Sequence, residues 1–139
     1  MIGNGSLCIG TANPNGYKLA VNGSVVATAV TVKAYTSWPD YVFTPSYQLP
    51  SLTDIKTYID QNQHLPEMPS AADVEKNGLN LGEVNTLLTK KVEELTLYLI
   101  EKDKEIKEQK ALNQSFQEQL SQLAEQLKAL KTAAVTNHQ

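Results

Sequence analysis

The sequence predicts an α+β protein of elongated, fibrous build. A β-rich N-terminal shaft segment occupies residues 1–34, a small helical, aromatic-rich compact knob 35–82, a long parallel coiled coil 83–134, and a disordered tail 135–139. Three observations carry this division. Five of the seven glycines fall by Gly23, every proline falls by Pro69, and neither residue occurs after Gly82. Charge is equally lopsided: Lys18, Lys33 and Asp40 are the only charged residues among the first 50, whereas the last 56 residues carry 16 of the 27 charges. Within that charged half, apolar residues recur in alternating steps of four and three.

The shaft segment rests on turn chemistry and β-branching. Asn-Gly occurs at Asn4-Gly5, Asn15-Gly16 and Asn22-Gly23, pairs that tolerate the positive φ demanded by two-residue hairpins. Around the third pair, Lys18-Leu-Ala-Val21 precedes the turn and the run Ser24 to Val32 follows it, which predicts a hairpin centred near Asn22. Val26, Thr28, Val30 and Val32 would share one face and Val25, Ala27, Ala29 and Thr31 the other, so neither face is strongly polar. Such a strand needs cover that a segment this short does not supply, and other copies of the chain are the natural source.

The knob is marked by Tyr35, Trp38, Tyr41, Phe43 and Tyr47, five of the nine aromatics within 13 residues, interrupted by Pro39 and Pro45. The cluster is either the core of a small module or a surface-recognition face, with Trp38, Tyr41 and Tyr47 as the candidates for contact. Ser51 followed by Asp54 reads as a helix cap, with Leu52, Ile55 and Ile59 on one face up to Asn62. A second start falls at Ser70 with Asp73, and Asn77-Gly78 offers its stop. Between them, His64 to Pro69 is expected to be extended, because residues before proline avoid the helical region.

The coiled-coil register can be written down. With Leu88 at d, the steps land on Val92, Leu95, Leu99, Lys102, Ile106, Gln109, Asn113, Phe116, Leu120, Leu123, Leu127, Leu130 and Ala134, and 11 of these 14 positions are apolar. A strict repeat over this span implies left-handed supercoiling around partners and a rod of about 70 Å. The mixed a positions lack the β-branched dominance that favours dimers, and Tyr98 and Leu112 at g are expected to widen the seam towards three helices. Glu105 at g faces Lys110 at the next e position in a parallel, in-register assembly, a pair worth a few tenths of a kcal/mol. Lys102, Gln109 and Asn113 interrupt the seam, either as a register device or as a solvated waist.

Other function classes find less support. All 12 basic residues are lysine and the net charge is -3, so the sequence lacks both a cationic field and the guanidinium forks suited to nucleic acid. No apolar run approaches a membrane span, and no basic region followed by an apolar stretch marks a signal peptide. A single cysteine, Cys8, makes no intrachain disulfide. His64 has no second ligand at metal spacing and no phosphate loop exists, so no metal, cofactor or enzymatic activity is expected. A glycan hydrolase would need two converging carboxylates from Asp40, Asp54, Asp60, Glu67, Asp73 and Glu75. A generic coiled-coil scaffold is the remaining alternative.

Ile9-Gly-Thr11, Pro14 and Lys18-Leu-Ala-Val-Asn-Gly23 resemble an element of phage-type tail fibres and related prophage and contractile-injection fibres, where it belongs to trimeric β-structured shafts. Trp38 to Phe43, Leu49 with Ser51-Leu52, Tyr58-Ile59, His64-Leu-Pro66, Pro69-Ser-Ala71, Leu81-Gly-Glu83 and Lys91 to Tyr98 resemble the C-terminal region that commonly follows it. Cys8 stands where such shafts often carry glycine. The resemblance implies a homotrimeric fibre end that partners fibre or baseplate proteins, contacts a surface glycan or receptor, and resides on a virion or extracellular particle after synthesis in the cytoplasm. Related fibres can end in a self-cleaving domain cut at a Ser-Asp pair; no serine here precedes an aspartate, so cleavage does not carry over.

Overall fold

The computed structural model describes residues 5–33 and 38–136. The chain divides into two units, residues 1–33 and 34–139.

In the first unit, β1 (Leu7–Ile9) and β2 (Leu19–Val21) pair in parallel, with Cys8 opposite Ala20. The intervening loop is built from local hydrogen bonds. Asn15 and Gly16 have φ of 48° and 85°, the doubly positive pattern of a tight turn, and Tyr17 N donates to Pro14 O at 2.8 Å. After β2, Asn22 N donates to Ile9 O at 2.9 Å and its Nδ2 to Gly10 O at 3.2 Å. Gly10 has φ of 70°, and a Cβ there would lie 3.0 Å from Asn22 O, so both conformation and space require glycine.

These contacts overturn the β-rich shaft. Among the described residues the chain is mostly helical, with two three-residue strands, and residues 24–33 lie in no strand. The hairpin expected at Asn22-Gly23 does not form, because Asn22 is held against Gly10 and the tight turn is made by Asn15-Gly16 instead. Downstream, Val25, Val26, Val30 and Val32 are all exposed, Val26 almost completely. β-Branching favours a strand only where a partner supplies hydrogen bonds and cover, and no segment among the described residues does so here. Asn4, Tyr35 and residues 137–139 of the expected tail lie outside the described residues.

In the second unit, a 3-10 turn (Pro39–Phe43) precedes α1 (Leu52–Asn62), α2 (Ala71–Asn77) and α3 (Leu81–Thr136). Ser51 Oγ accepts from Asp54 N at 3.1 Å, capping α1. Ser70 and Asp73 exchange both bonds of a capping box at the start of α2, and Gly78 ends it with φ of 75°. Between the two helices, Met68 N donates to Leu65 O at 3.2 Å across Pro66 and Glu67, so His64 to Pro69 contains a tight turn rather than a continuous extended run. Asn80 Oδ1 accepts from Gly82 N at 3.0 Å at the head of α3. With no proline or further glycine to break it, α3 runs 56 residues, about 84 Å.

The element packed on α3 is the 3-10 turn. Three residues per turn place Pro39 and Val42 on one face, and both are fully buried. Val42 and Tyr98 are the buried hydrophobic residues among those described, a core too small to hold α1 and α2 against α3. The apolar face of α1 is correspondingly open, with Leu52 and Ile59 exposed.

Candidate functional site

An apolar stripe runs along α3. Leu88, Val92, Leu95, Leu99, Ile106, Phe116, Leu120, Leu123, Leu127 and Leu130 all lie on it, between 46% and 67% exposed. The polar interruption is tied locally within an unbroken helix. Lys102 Nζ donates to Glu105 Oε2 at 2.7 Å, and Gln109 Nε2 donates to Asn113 Oδ1 at 3.0 Å. Asn113 is itself exposed, and Ala134 falls within the last turns of α3. Single-chain packing therefore leaves every described apolar a and d position uncovered.

A different face of α3 is covered within the chain. Tyr47 Oη donates to Glu94 Oε1, and Tyr98 Oη donates to Pro50 O at 2.5 Å. Lys91 Nζ reaches Glu94 Oε2 at 2.9 Å and Glu67 Oε2 at 2.8 Å, while Lys90 Nζ donates to Glu67 Oε1 at 2.5 Å. Glu94 is 3% exposed, a buried carboxylate held by a phenol and an ammonium group. At 100° per residue, Glu94, Tyr98 and Lys91 centre about 100° around the helix from the stripe. Tyr47, Pro50 and the Glu67 turn thus grip α3 on a face away from its seam.

The electrostatics follow from this geometry. Burial pushes the Tyr47 phenol upward, and the hydrogen bond to Glu94 with that carboxylate's charge pushes it further. Burial also raises Tyr98, reinforced by Glu94. For Glu67, burial works upward, but hydrogen bonds and charge from Lys90 and Lys91 outweigh it and hold the carboxyl below its usual range. For Lys91, burial works downward, and the two carboxylates outweigh it to raise the ammonium group.

The aromatic candidates are divided by the 3-10 turn. Trp38 and Tyr41 are 51% and 42% exposed, whereas Tyr47 is half-buried on Glu94 and packs its ring 5.9 Å from that of Tyr41. Tyr98, expected to widen the seam, is buried beside Pro50 instead, while Leu112 stays exposed. Of the carboxylates weighed for glycan chemistry, Asp54 and Asp73 bond the capping Ser51 and Ser70, Asp60 pairs with Lys56, and Glu67 pairs with Lys90 and Lys91. His64 stacks edge-on to Tyr58 at 5.6 Å. Among the described residues, no group of three His, Cys, Asp or Glu side chains is placed to hold a metal ion, and no helix is long and apolar enough to cross a membrane.

Sequence reasoning missed the Glu67, Lys90, Lys91 and Glu94 cluster, whose members lie up to 27 positions apart. The available signal was weak: a charged residue directly after Pro66, where a turn would favour glycine. No protein-family model, curated protein or solved structure matches the chain.

Proposed function

We propose that the chain is a self-assembling structural protein, a parallel homotrimer in which α3 aligns three copies. Its proposed setting is the end of a fibre on a phage tail or contractile injection particle, joined to fibre or baseplate proteins and contacting a cell surface. One observation carries the assembly reading: an apolar 4,3 stripe stays exposed along α3 while the chain's hydrogen bonds and ion pairs to the helix from Tyr47, Pro50 and Glu67 fall on another face. A left-handed seam of that period is completed by helices with the same repeat, which this chain itself provides. The setting rests on the ordered motifs from Ile9 to Tyr98 that resemble tail-fibre ends.

Mass measured by light scattering over a wide concentration range tests the assembly. The expected value is three times the 15.3 kDa of one chain. A concentration-independent monomer refutes self-assembly, and a stable dimer refutes the threefold count. Antibody against the chain should decorate fibre ends in micrographs of the parent particle, and undecorated fibres would refute the setting.

A further inference from the structure

Trp38 precedes the 3-10 turn and stands beside Asn85, Leu88, Thr89, Val92 and Glu93, with which it lines an open cleft of about 610 Å³. Two of those neighbours, Leu88 and Val92, are the first d and a positions of the described seam, and Thr89 is the flanking e position. The cleft is therefore continuous with the stripe. On a helical wheel it lies on the opposite flank from Tyr98, whose hydroxyl is tied to Pro50. Trp38 remains 51% exposed as a residue although Pro39 and Val42 beside it are fully buried. On the wall of the same cleft, Glu93 Oε2 is buried and accepts no hydrogen bond. An apolar ring left half-wet next to an unsatisfied carboxylate oxygen is an incomplete packing site.

We propose that this cleft is a docking site for a second copy of the same chain, with Trp38 a wedge that seals the flank of the seam where the coil begins. The inference rests on the self-assembly reading and adds to it a specific contact outside the a and d positions. Charge identifies the occupant. Glu105 at g and Lys110 at e are complementary between parallel, in-register copies, and that register brings a neighbour's Val84, at g, opposite Thr89 and the Trp38 cleft. Two-helix seams leave e and g flanks largely wet, whereas a third helix covers them, so an apolar wedge on the e flank fits the threefold assembly.

Trp38 is the single tryptophan, so its fluorescence reads this site alone. Emission and acrylamide quenching of the full chain are measured together with mass. In the native assembly, emission should be blue-shifted and quenching suppressed. In the Leu120→Asp, Leu127→Asp double variant, altered at least about 40 Å along α3 from Val92, dissociation should bring a red shift and stronger quenching. A native assembly whose Trp38 is as quenched as in the dissociated variant overturns the wedge while leaving self-assembly standing; a native monomer overturns self-assembly itself. Because a dissociated chain could expose Trp38 by unfolding, a second variant decides. Trp38→Ala with an intact seam should raise the concentration of half-dissociation by roughly tenfold or more. An unchanged dissociation curve for that variant overturns the proposal.

Discussion

Glu67 sets two local terms against each other, and their difference can be measured. Its φ of 67° puts a non-glycine residue in the left-handed region, after Pro66 in the turn closed by Met68 N and Leu65 O. That conformation costs about 1 kcal/mol relative to glycine. Against it stand the ion pairs to Lys90 and Lys91. The Glu67 side chain is 47% exposed, so each pair counts at the screened surface value of about 0.2–1 kcal/mol. Glu67→Gln keeps the backbone cost and loses the charge, so stability should fall by about 1 kcal/mol. Glu67→Gly loses the same charge and relieves the backbone, so the two terms nearly cancel and stability should stay within about 0.5 kcal/mol of native. Urea denaturation at fixed protein concentration, read by far-ultraviolet circular dichroism, supplies the comparison. The ion-pair term has a pH signature as well. Because the native carboxyl is held below its usual 4.5, its contribution is present above that value and is lost as pH falls through the depressed native one. The gap between native and Glu67→Gln should therefore close in acid. A Glu67→Gly variant as unstable as Glu67→Gln would show that the left-handed backbone is not strained, and a Glu67→Gln variant as stable as native would show that the ion pairs contribute nothing.

Two further perturbations probe the other contacts. In the proposed assembly Lys102→Leu would replace an ammonium group at a d position with apolar surface, so self-association should tighten by about 1 kcal/mol or more per chain in sedimentation; unchanged or weaker association refutes the register. Tyr47→Phe takes one donor from the buried Glu94 carboxylate and should cost about 1–3 kcal/mol in the same denaturation assay. Since the native phenol resists ionisation beyond its usual 10.0, native stability should fall as pH rises past that value, and Tyr47→Phe should flatten this alkaline slope, leaving the share that the raised Tyr98 and Lys91 contribute; an unchanged slope assigns it to those groups alone.

Legibility in the sequence followed the range of the interaction. Ser51 with Asp54 and Ser70 with Asp73 announced α1 and α2, because a cap is decided within four residues. The long helix and its stripe were equally readable, since periodicity and the absence of breakers are properties of the string. Three Asn-Gly pairs could not be ranked this way, as each satisfies the same turn chemistry. The choice of Asn15-Gly16 for the tight turn depended on Asn22 reaching back to Gly10. The aromatic cluster was misleading for a geometric reason. Size marks Trp38 as core, but the three-residue repeat of the turn buries Pro39 and Val42 and turns Trp38 and Tyr41 outward together. Nothing in the string brings Glu67 to Lys90 and Lys91, because that meeting depends on the path of α1 and α2.

The division of α3 into a gripped face and an open face also orders the steps of folding. Tyr47, Pro50 and Glu67 find their partners at Glu94, Tyr98, Lys90 and Lys91 only once that stretch is helical, and those contacts are separated by 23 to 48 positions. Closing such loops onto an unformed helix yields no return for the entropy lost. A long helix is costly to nucleate and marginal alone in water, and α3 buries little of its apolar surface within one chain. Its strongest run of apolar seam positions, Phe116 to Leu130, lies far from the gripped segment. In the proposed assembly, pairing of that run stabilises the helix first, and helical order then propagates towards Glu94 and Tyr98. The segment from Trp38 to Glu67 next closes onto a surface that already exists. On this order the grip is a consequence of assembly, and Trp38, at the start of the segment that closes, stands beside Leu88 and Val92 on the flank of the proposed seam opposite the grip.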